Sequence, residues 1–389
     1  MSKRRVVVTG VGILGAPGIG MDDLWKGLQE QPGPAPRVIE NWDPEPWIPK
    51  RESRRLDRFS QFALVATREA MSQSGELDLD PNRVAVSVAT GIGGLESLED
   101  LIHASDDENP RVSPLWVPMM MANAAAAAIS IKYGFGGPVT TPVIACAAGS
   151  QSILEGLRQI QWGYADAAIV GGAEAAARKA AREGFRAARA LSASGYARPF
   201  DVDRDGFVMG EGAAILILES ADGAAARGAT PIAEVLGGAS TADAHHVTAP
   251  HPEGAGAERA VRLALEDAGI EPGDVRYINA HGTGTDLNDR TEGQVIQRIF
   301  TDDQPAVSSV KGSTGHGLGA SGSIEAAVVV EAIRRSELPP NVGLTNQDPE
   351  IPLVDIVREA RPWEPGPAIS NSFGFGGHNT VLTIAPPSE

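Results

Sequence analysis

The sequence predicts an α/β fold in which helices cover both faces of a sheet. Short runs of β-branched residues alternate along the whole chain with longer, alanine-rich stretches of helical pattern. Strand–helix alternation at this spacing indicates the α/β class. The chain has 389 residues, of which 42% are hydrophobic. A chain of this length can bury a large core, because the buried fraction of the surface rises with length.

Ten apolar runs are predicted as buried strands, five in each half of the chain. Those of the first half are residues 5–13, 83–92, 139–148, 167–173 and 213–219. Those of the second half are residues 232–241, 276–284, 305–312, 368–376 and 380–387. Helical patterns lie between them at residues 21–29, 58–74, 149–163, 256–268 and 324–335.

The two halves of the chain resemble each other in the order of their predicted strands and helices. In each, a glycine-rich strand end leads into a helix of small residues, at residues 145–153 and again at residues 311–326. We predict a duplication, with an N-terminal half at residues 1–230 and a C-terminal half at residues 231–389. Glycine-rich turns recur in many α/β proteins, so the pattern alone is equally consistent with no duplication.

Charge and cysteine content exclude several classes of function. The chain carries 33 basic and 50 acidic residues, a formal net charge of −17, which argues against non-specific nucleic-acid binding. Its single cysteine, Cys146, excludes a disulfide framework and indicates a reducing compartment, so we expect a cytoplasmic protein. The apolar stretch at residues 117–131 is too short to span a membrane. The basic, apolar N-terminus imitates a signal peptide, but its glycines favour a buried strand.

A glycine motif near the N-terminus imitates a dinucleotide site. Gly10, Gly12 and Gly15 satisfy G-x-G-x-x-G after a strand. More glycines and Pro17 follow where that motif would open a helix. We therefore expect a tight loop here and not a phosphate cradle.

Cys146 is a candidate nucleophile. It follows the apolar residues 143–145, predicted as a strand end, and precedes a helical pattern. The positive end of a helix dipole favours a thiolate, and small neighbours would let a substrate approach the sulfur. A lone cysteine in apolar surroundings is also a common inert core residue.

Two histidines and a lysine, like Cys146, lie at predicted strand ends next to segments of small residues. His281, His316 and Lys311 occur at strand ends next to loops of glycine and threonine or serine. Each alone would be weak evidence, because buried histidines often serve only packing. Only the fold could bring these residues together with Cys146.

Long motifs in fixed order then suggest a family. They are VVVTGVGI, ATGIGG, GGAE, ALSASG, RPFDVDRDGFVMGEGAAILILE, HGTGTDLNDRTE, SSVKGSTGHGLGASGSIEA and NSFGFGGHN, with the cysteine segment between the second and third. Over nearly its whole length the chain resembles the β-ketoacyl-acyl-carrier-protein synthases, which are elongating condensing enzymes. The resemblance implies the thiolase fold, a duplicated five-layered αβαβα core.

The resemblance also implies roles for individual residues. Cys146 matches the nucleophile that takes the acyl chain, and His281 and His316 match the pair that promotes decarboxylation of the malonyl thioester. Lys311 matches the lysine that orients this centre.

Further positions match supporting residues of the family. Glu325 matches the acidic partner of the lysine, and Asp289 and Glu292 match acidic positions after the first histidine. Phe375 matches the gating phenylalanine, whose backbone N–H would form an oxyanion hole with that of Cys146.

Other positions match the family's acyl pocket and partner surface. Met121 matches a residue that lines the acyl pocket, although a core role at an interface is equally open. The basic residues Arg51, Arg54, Arg55 and Arg189 fall where the acidic acyl carrier protein docks, although a solvated helix face is the alternative. The chain departs from the family at Ala147 and Ala148, where many members carry a hydroxyl residue; this puts the tuning of Cys146 in doubt.

The main prediction is a β-ketoacyl carrier-protein synthase that acts in fatty-acid or polyketide elongation. It would be a dimer, with a homodimer and a heterodimer both open, and it would have no permanently bound cofactor or metal. Its substrates would be attached to the phosphopantetheine arm of the carrier protein. The alternative is the catalytic subunit of a heterodimer with a chain-length-factor-like partner, in a type II polyketide pathway that could be a polyene one. Degradative thiolases are disfavoured because they use a second cysteine. No nucleic-acid or membrane partner is expected.

Overall fold

The structure is a computed structural model that describes residues 3–106, 112–301 and 303–388. Its strands are β1 (Val6–Gly15), β2 (Gly18–Ile19), β3 (Val84–Ala89), β4 (Val139–Thr140), β5 (Ala167–Glu174), β6 (Gly212–Ser220), β7 (Ala233–Ala242), β8 (Tyr277–Asn279), β9 (Ala306–Ser308), β10 (Glu337–Leu338), β11 (Arg361–Pro362), β12 (Ala368–Gly374) and β13 (His378–Ala385). Each of the ten predicted runs contains one strand of the main sheet.

The helices lie between these strands. They are α1 (Met21–Gly27), α2 (Lys50–Ser53), α3 (Arg58–Ser74), α4 (Leu95–Ser105), α5 (Trp116–Met120), α6 (Ala124–Tyr133), α7 (Ala148–Gln161), α8 (Lys179–Ala187), α9 (Ala221–Ala226), α10 (Ala255–Ala268), α11 (Asp286–Ile299), α12 (Lys311–Thr314) and α13 (Ser321–Arg335). The five predicted helical stretches correspond to α1, α3, α7, α10 and α13.

The main sheet repeats one topology in its two halves. Its order is β4-β3-β5-β6-β1 followed by β7-β13-β12-β8-β9. When the five strands of each half are numbered in chain order, both halves have the spatial order 3-2-4-5-1, from the outer edge of the sheet to the junction between the halves. The parallel and antiparallel pairings also match strand for strand. The two halves meet where β1 pairs with β7.

Helices complete a five-layered arrangement. Helices α7 and α13 pack on each other and contact strands of both halves of the sheet, so they form the central layer. Helix α3 covers β1 and β6 on one outer face, and α10 covers β7 and β13 on the other. Almost every residue of α13 is buried, as its alanine- and valine-rich sequence requires for a helix enclosed on all sides. The predicted α/β class and layered core are confirmed.

The glycine motif near the N-terminus lies in a strand, so the predicted tight loop is wrong. Gly10 and Gly12 belong to β1, where α3 crosses very closely. A Cβ atom at Gly12 would lie 1.9 Å from the carbonyl oxygen of Ala66, and one at Gly10 would lie 2.2 Å from that of Ala70. These glycines therefore allow close helix–sheet packing.

Within the described part of the chain, no helix is long and apolar enough to cross a membrane.

Candidate active site

A cavity of about 460 Å³ opens where the carboxyl ends of several strands meet. Its walls include Cys146, His281, His316 and Phe375. Strands β8, β9 and β12 are parallel, so the segments that follow them emerge at one edge of the sheet. This topology brings together residues that lie 135 to 229 positions from Cys146 in the sequence.

Cys146 sits on a sharp turn that leads into the central helix α7. The predicted strand is wrong here, because β4 ends at Thr140 and Cys146 lies in a short 3-10 turn at Ala145–Ala147. Ala145 has a left-handed backbone with φ of 50°, which is an unfavourable conformation for a residue with a Cβ atom. The turn directs the thiol into the cavity, at the N-terminus of α7.

Burial controls the protonation of the thiol. Cys146 is almost fully buried, and this desolvation raises its pKa to about 11. The backbone N–H of Phe375 and the charge of Lys311 act in the opposite direction but are outweighed. Loss of hydration therefore acts against the thiolate that the helix N-terminus would favour.

His316 contacts the sulfur directly. Its Nε2 lies 3.0 Å from Sγ of Cys146, and its Nδ1 lies 2.9 Å from Oγ of Ser321. Burial, with a smaller contribution from Lys311, holds the pKa of His316 well below its usual range. The resting pair is thus a neutral thiol and a neutral imidazole. With S–H donating to Nε2, the other ring nitrogen donates to Ser321.

Lys311 fixes the second histidine. Its Nζ lies 3.3 Å from Nδ1 of His281 and 2.6 Å from the carbonyl oxygen of the same residue, and it forms an ion pair with Glu325. A protonated lysine has three donors and no acceptor, so Nδ1 of His281 accepts and its Nε2 carries the proton. Burial and the Lys311 charge keep the pKa of His281 well below its usual range. His281 is therefore a neutral donor.

Two buried carboxylates hold the loop that carries His281. Glu292 accepts the backbone N–H groups of His281 and Gly282, both at 2.8 Å. Asp289 accepts those of Thr283 and Gly284 at 3.0 and 3.1 Å. Burial raises the pKa of both carboxyl groups. They position the loop and do not line the space beside the sulfur.

Phe375 lies at the turn after β12, beside Cys146. A Cβ atom at Gly374 would come within 3.1 Å of the backbone nitrogen of Cys146, so the turn needs glycine to approach the thiol so closely. The backbone N–H groups of Phe375 and Cys146 lie beside Sγ and lower the pKa of the thiol. Two convergent donors of this kind can stabilise an oxyanion formed next to the sulfur.

Comparison with known proteins agrees with this geometry. The family model for the N-terminal domain of β-ketoacyl synthases matches residues 38–224, and the model for the C-terminal domain matches residues 232–345. The chain belongs to the β-ketoacyl synthase family. It is a condensing acyltransferase, as predicted.

Similar proteins cover the whole chain. The chain is 44% identical to a 3-oxoacyl-[acyl-carrier-protein] synthase 2 of Synechocystis, over 99% of this chain and 98% of that protein. The ishigamide ketosynthase/chain length factor matches with a TM-score of 0.92 and 34% identity over the full length of both chains. A type II polyketide synthase acyl-carrier protein in complex with its ketosynthase matches with a TM-score of 0.90 and 28% identity, over 99% of this chain and 100% of that one. The predicted thiolase fold is confirmed.

The remaining predicted site residues are placed apart from the sulfur. Arg189 lines the mouth of the cavity. Arg51, Arg54 and Arg55 are exposed at the start of the α2–α3 region and do not line the cavity. Met121 is 47% exposed and does not line the cavity either.

The side chains of Cys146, His281 and His316 are of the types that bind metal ions. Sγ of Cys146 and a ring nitrogen from each histidine lie within 4.8 Å of one another, and thiolate and imidazole are ligands that Zn²⁺ accepts. The Lys311 ammonium directly behind His281 disfavours a second cation at this place. The geometry therefore fits acid–base chemistry better than metal binding.

Sequence reasoning missed several residues of the site. Ser321 orients His316, and Phe207 packs edge-on against the same ring with centroids 5.1 Å apart. Glu174 accepts the backbone N–H groups of Gly91 at 2.6 Å and Gly319 at 3.1 Å, which ties β3 to the turn after His316. Burial raises its pKa to about 7. Ser321 and Glu174 stand inside the quoted motifs, but nothing local distinguishes them from packing residues.

Proposed function

We propose that this β-ketoacyl synthase joins an acyl chain held on Cys146 to a malonyl unit by decarboxylative Claisen condensation, with both substrates delivered by an acyl carrier protein. The observation that carries the proposal is the 3.0 Å contact between the Cys146 thiol and His316, in a cavity that also holds a neutral, lysine-braced His281. The reaction needs no permanently bound cofactor, because no oxidant or reductant takes part.

The first step transfers the acyl chain. Sγ of Cys146 attacks the thioester carbonyl while its proton passes to Nε2 of His316. The thioester C–S bond breaks, and the sulfur of the phosphopantetheine arm leaves with that proton. The oxyanion accepts hydrogen bonds from the N–H groups of Cys146 and Phe375, which are already in position before the reaction.

The second step breaks the bond between the malonyl methylene and its carboxylate. Carbon dioxide leaves, and the electron pair forms an enolate whose oxygen accepts the N–H of His281. Lys311 keeps that proton on Nε2. His316 becomes a second donor after its proton moves from Nδ1 to Nε2, and the Ser321 hydroxyl then donates to Nδ1. A dry cavity strengthens both hydrogen bonds.

The third step forms the carbon–carbon bond. The enolate carbon attacks the acyl carbonyl and the bond to Sγ of Cys146 breaks. The thiolate then takes up a proton from the solvent, which restores the resting thiol. The raised pKa of the buried thiol favours this return. The product is a β-ketoacyl thioester on the carrier.

We also propose a dimer, formed through the edge of the N-terminal half of the sheet. Strand β4 is the last strand on that side, and both of its residues are exposed. Val139, Val143 and, on the adjoining α6, Ile131 expose apolar surface there. An open edge with apolar neighbours is a surface that a second chain can cover. Met121 would then belong to this interface and to an acyl pocket completed by the partner.

The dimer could be formed from two copies of this chain or from two different chains. Similarity to the 3-oxoacyl-[acyl-carrier-protein] synthase 2 of Synechocystis supports the synthesis of a 3-oxoacyl carrier thioester, and our first candidate for this activity is a homodimer in fatty-acid elongation. Similarity to the ishigamide ketosynthase/chain length factor favours the second candidate, the catalytic subunit of a polyketide heterodimer. Native mass spectrometry of the chain expressed with its neighbouring genes distinguishes these two assemblies. A cytoplasmic location stays a prediction, as does the internal boundary at residue 230.

Replacement of Cys146 tests the reaction. Incubated with an acyl carrier thioester, the wild-type protein should gain the mass of one acyl group, and Cys146→Ala should gain none. Cys146→Ala should also form no condensation product while it retains decarboxylation of the malonyl thioester at His281 and His316. Condensation product from Cys146→Ala would refute the assignment of the nucleophile.

A further inference from the structure

The two histidines of the active site have partners of different hydrogen-bonding character. Nδ1 of His281 faces the ammonium group of Lys311 at 3.3 Å, and an ammonium can only donate. Nδ1 of His316 faces the hydroxyl of Ser321 at 2.9 Å, and a hydroxyl can donate or accept. The ring proton of His281 is therefore fixed on Nε2, whereas His316 can carry its proton on either nitrogen and keep its partner at Nδ1.

The hydroxyl of Ser321 is committed to His316. Ser321 is buried and is the first residue of α13. A serine at the start of a helix often caps it, but the N-cap residue here is Ala320, and no side chain caps α13. Among the residues that the structure describes, Nδ1 of His316 is the only hydrogen-bond partner of this hydroxyl. The hydroxyl can therefore rotate to suit either form of the ring.

The His316 ring is held in place by its backbone and by its neighbours. Its backbone N–H donates at 2.7 Å and its carbonyl oxygen accepts at 2.9 Å, both within residues 208–210. The ring packs edge-on against that of Phe207, with centroids 5.1 Å apart. Nε2 thus faces Cys146 and Nδ1 faces Ser321 throughout, so a change in the role of the ring requires a move of its proton.

The two half-reactions place opposite demands on Nε2 of His316. In acyl transfer, Nε2 takes the proton of the Cys146 thiol, so the ring proton must be on Nδ1. In decarboxylation, Nε2 donates to the enolate oxygen, so it must carry the proton itself. A resting ring with both nitrogens protonated is disfavoured, because burial and the charge of Lys311 hold the pKa of His316 well below its usual range.

We propose that Ser321 is a positioning residue that allows His316 to perform both half-reactions: its hydroxyl accepts from Nδ1 during acyl transfer and donates to Nδ1 during decarboxylation. This inference rests on the proposed function, since it assigns a residue to two steps of that reaction. Both forms of the ring are neutral, so the change between them only releases a proton from Nδ1 and takes one up at Nε2, by exchange with water in the cavity. Acylation of Cys146 removes the S–H donor that faces Nε2, which leaves that nitrogen free to be protonated.

Loss of the hydroxyl should slow acyl transfer more than decarboxylation. In acyl transfer the ring becomes a cation when it takes the thiol proton, and a hydrogen bond from a charged donor is about twice as strong as one between neutral groups. In decarboxylation the ring stays neutral. A buried N–H without an acceptor is also tolerated less well than a buried acceptor without a donor. The resting ring of Ser321→Ala should therefore carry its proton mainly on Nε2, where it blocks acyl transfer.

Two assays with pantetheine thioesters separate the steps. Acyl transfer is measured as the gain of one hexanoyl mass on Cys146 from hexanoyl-pantetheine. Decarboxylation is measured as release of carbon dioxide from malonyl-pantetheine in the Cys146→Ala background, where no acyl transfer occurs. Ser321→Ala should lower the rate of acyl transfer about tenfold, a loss of about 1.4 kcal/mol, and the rate of decarboxylation by about threefold or less.

Ser323→Ala is the matched control. Ser323 is fully buried in the same turn of α13, but its hydroxyl donates to the carbonyl oxygen of Ala320 at 2.8 Å. This variant should keep the wild-type ratio of the two rates. An equal fall of both rates in Ser321→Ala, or an unequal fall of the same size in Ser323→Ala, would overturn the proposal, because a loss of packing acts on both steps alike. A wild-type protein that is acylated on Cys146 neither by hexanoyl-pantetheine nor by a hexanoyl carrier protein would instead refute the proposed function.

Nuclear magnetic resonance of protein labelled with ¹⁵N-histidine locates the ring proton without any turnover. Protonated and unprotonated ring nitrogens have well-separated ¹⁵N shifts, and His316→Gln identifies the signals of His316 among the seven histidines. The proton should be on Nδ1 in the resting wild type and mainly on Nε2 in Ser321→Ala, and hexanoylation of the wild type should raise the fraction on Nε2. A resting wild type with the proton on Nε2, or an unchanged distribution in Ser321→Ala, would refute the proposal whether or not the variant is active.

Discussion

The protonation of Cys146 is the property of this site that differs most from expectation, and alkylation measures it directly. Burial raises the pKa of the thiol to about 11, from an ordinary value of 9.0. At neutral pH the thiolate fraction is then ~10⁻⁴. The two-unit rise corresponds to ~2.7 kcal/mol against the thiolate. Transfer of the proton to His316 does not avoid this cost, because the pKa of that imidazole is lowered.

Alkylation by iodoacetamide should therefore become faster throughout the accessible pH range. Only the thiolate reacts, so the rate should rise about tenfold per pH unit from about pH 6 to about pH 10 without a plateau. Intact-protein mass spectrometry measures the rate, and the single adduct is unambiguous because Cys146 is the only cysteine. Circular dichroism at each pH confirms that the protein stays folded.

A variant determines whether the local charges act as the structure indicates. Lys311 lowers the pKa of Cys146 and Glu325 raises it. Glu325→Gln should therefore alkylate faster than the wild type at the same alkaline pH. A plateau with an apparent pKa at or below the ordinary cysteine value would refute the reasoning, because the helix N-terminus and the convergent N–H groups would then outweigh burial.

Three further predictions concern stability. Lys311→Met should lower the free energy of unfolding by about 3–5 kcal/mol because it leaves Glu325 buried without a partner. Urea titration should show that Lys311→Met/Glu325→Leu regains part of this free energy, and equal stability of the single variant and the wild type would contradict the prediction. Burial raises the pKa of Glu174 to about 7, so the free energy of unfolding of the wild type should fall by ~3 kcal/mol relative to that of Glu174→Gln as the pH rises from about 4.5 to about 7. Urea midpoints of both proteins at several pH values measure this difference, and a pH-independent difference would contradict the prediction. Gly12→Ala should lower stability by about 1–3 kcal/mol, because its Cβ would meet the carbonyl oxygen of Ala66; thermal melting that matches the wild type would contradict the close packing.

The local sequence patterns predict which strands and helices exist, but they do not predict the residues at which each one ends. The β-branched runs and alanine-rich stretches predict the strands and helices because side-chain periodicity is a local property. The run at residues 139–148 was predicted as one strand, but only Val139–Thr140 pairs, because the chain must turn at Ala145 to present Cys146. Gly10 and Gly12 are predicted to lie in a loop, because the sequence of β1 does not reveal that α3 packs so closely against this strand.

The fold class and the family are predictable from the sequence alone, because long ordered motifs extend over nearly the whole chain. The same motifs and the single cysteine name Cys146, His281, His316 and Lys311 as candidate reactive residues. How these residues meet, and which protonation states burial favours, follow from the tertiary structure. Proximity depends on parallel strand ends that converge from both halves of the sheet, and the pKa of a buried group depends on every atom that replaces its water. Neither quantity is encoded in any short segment.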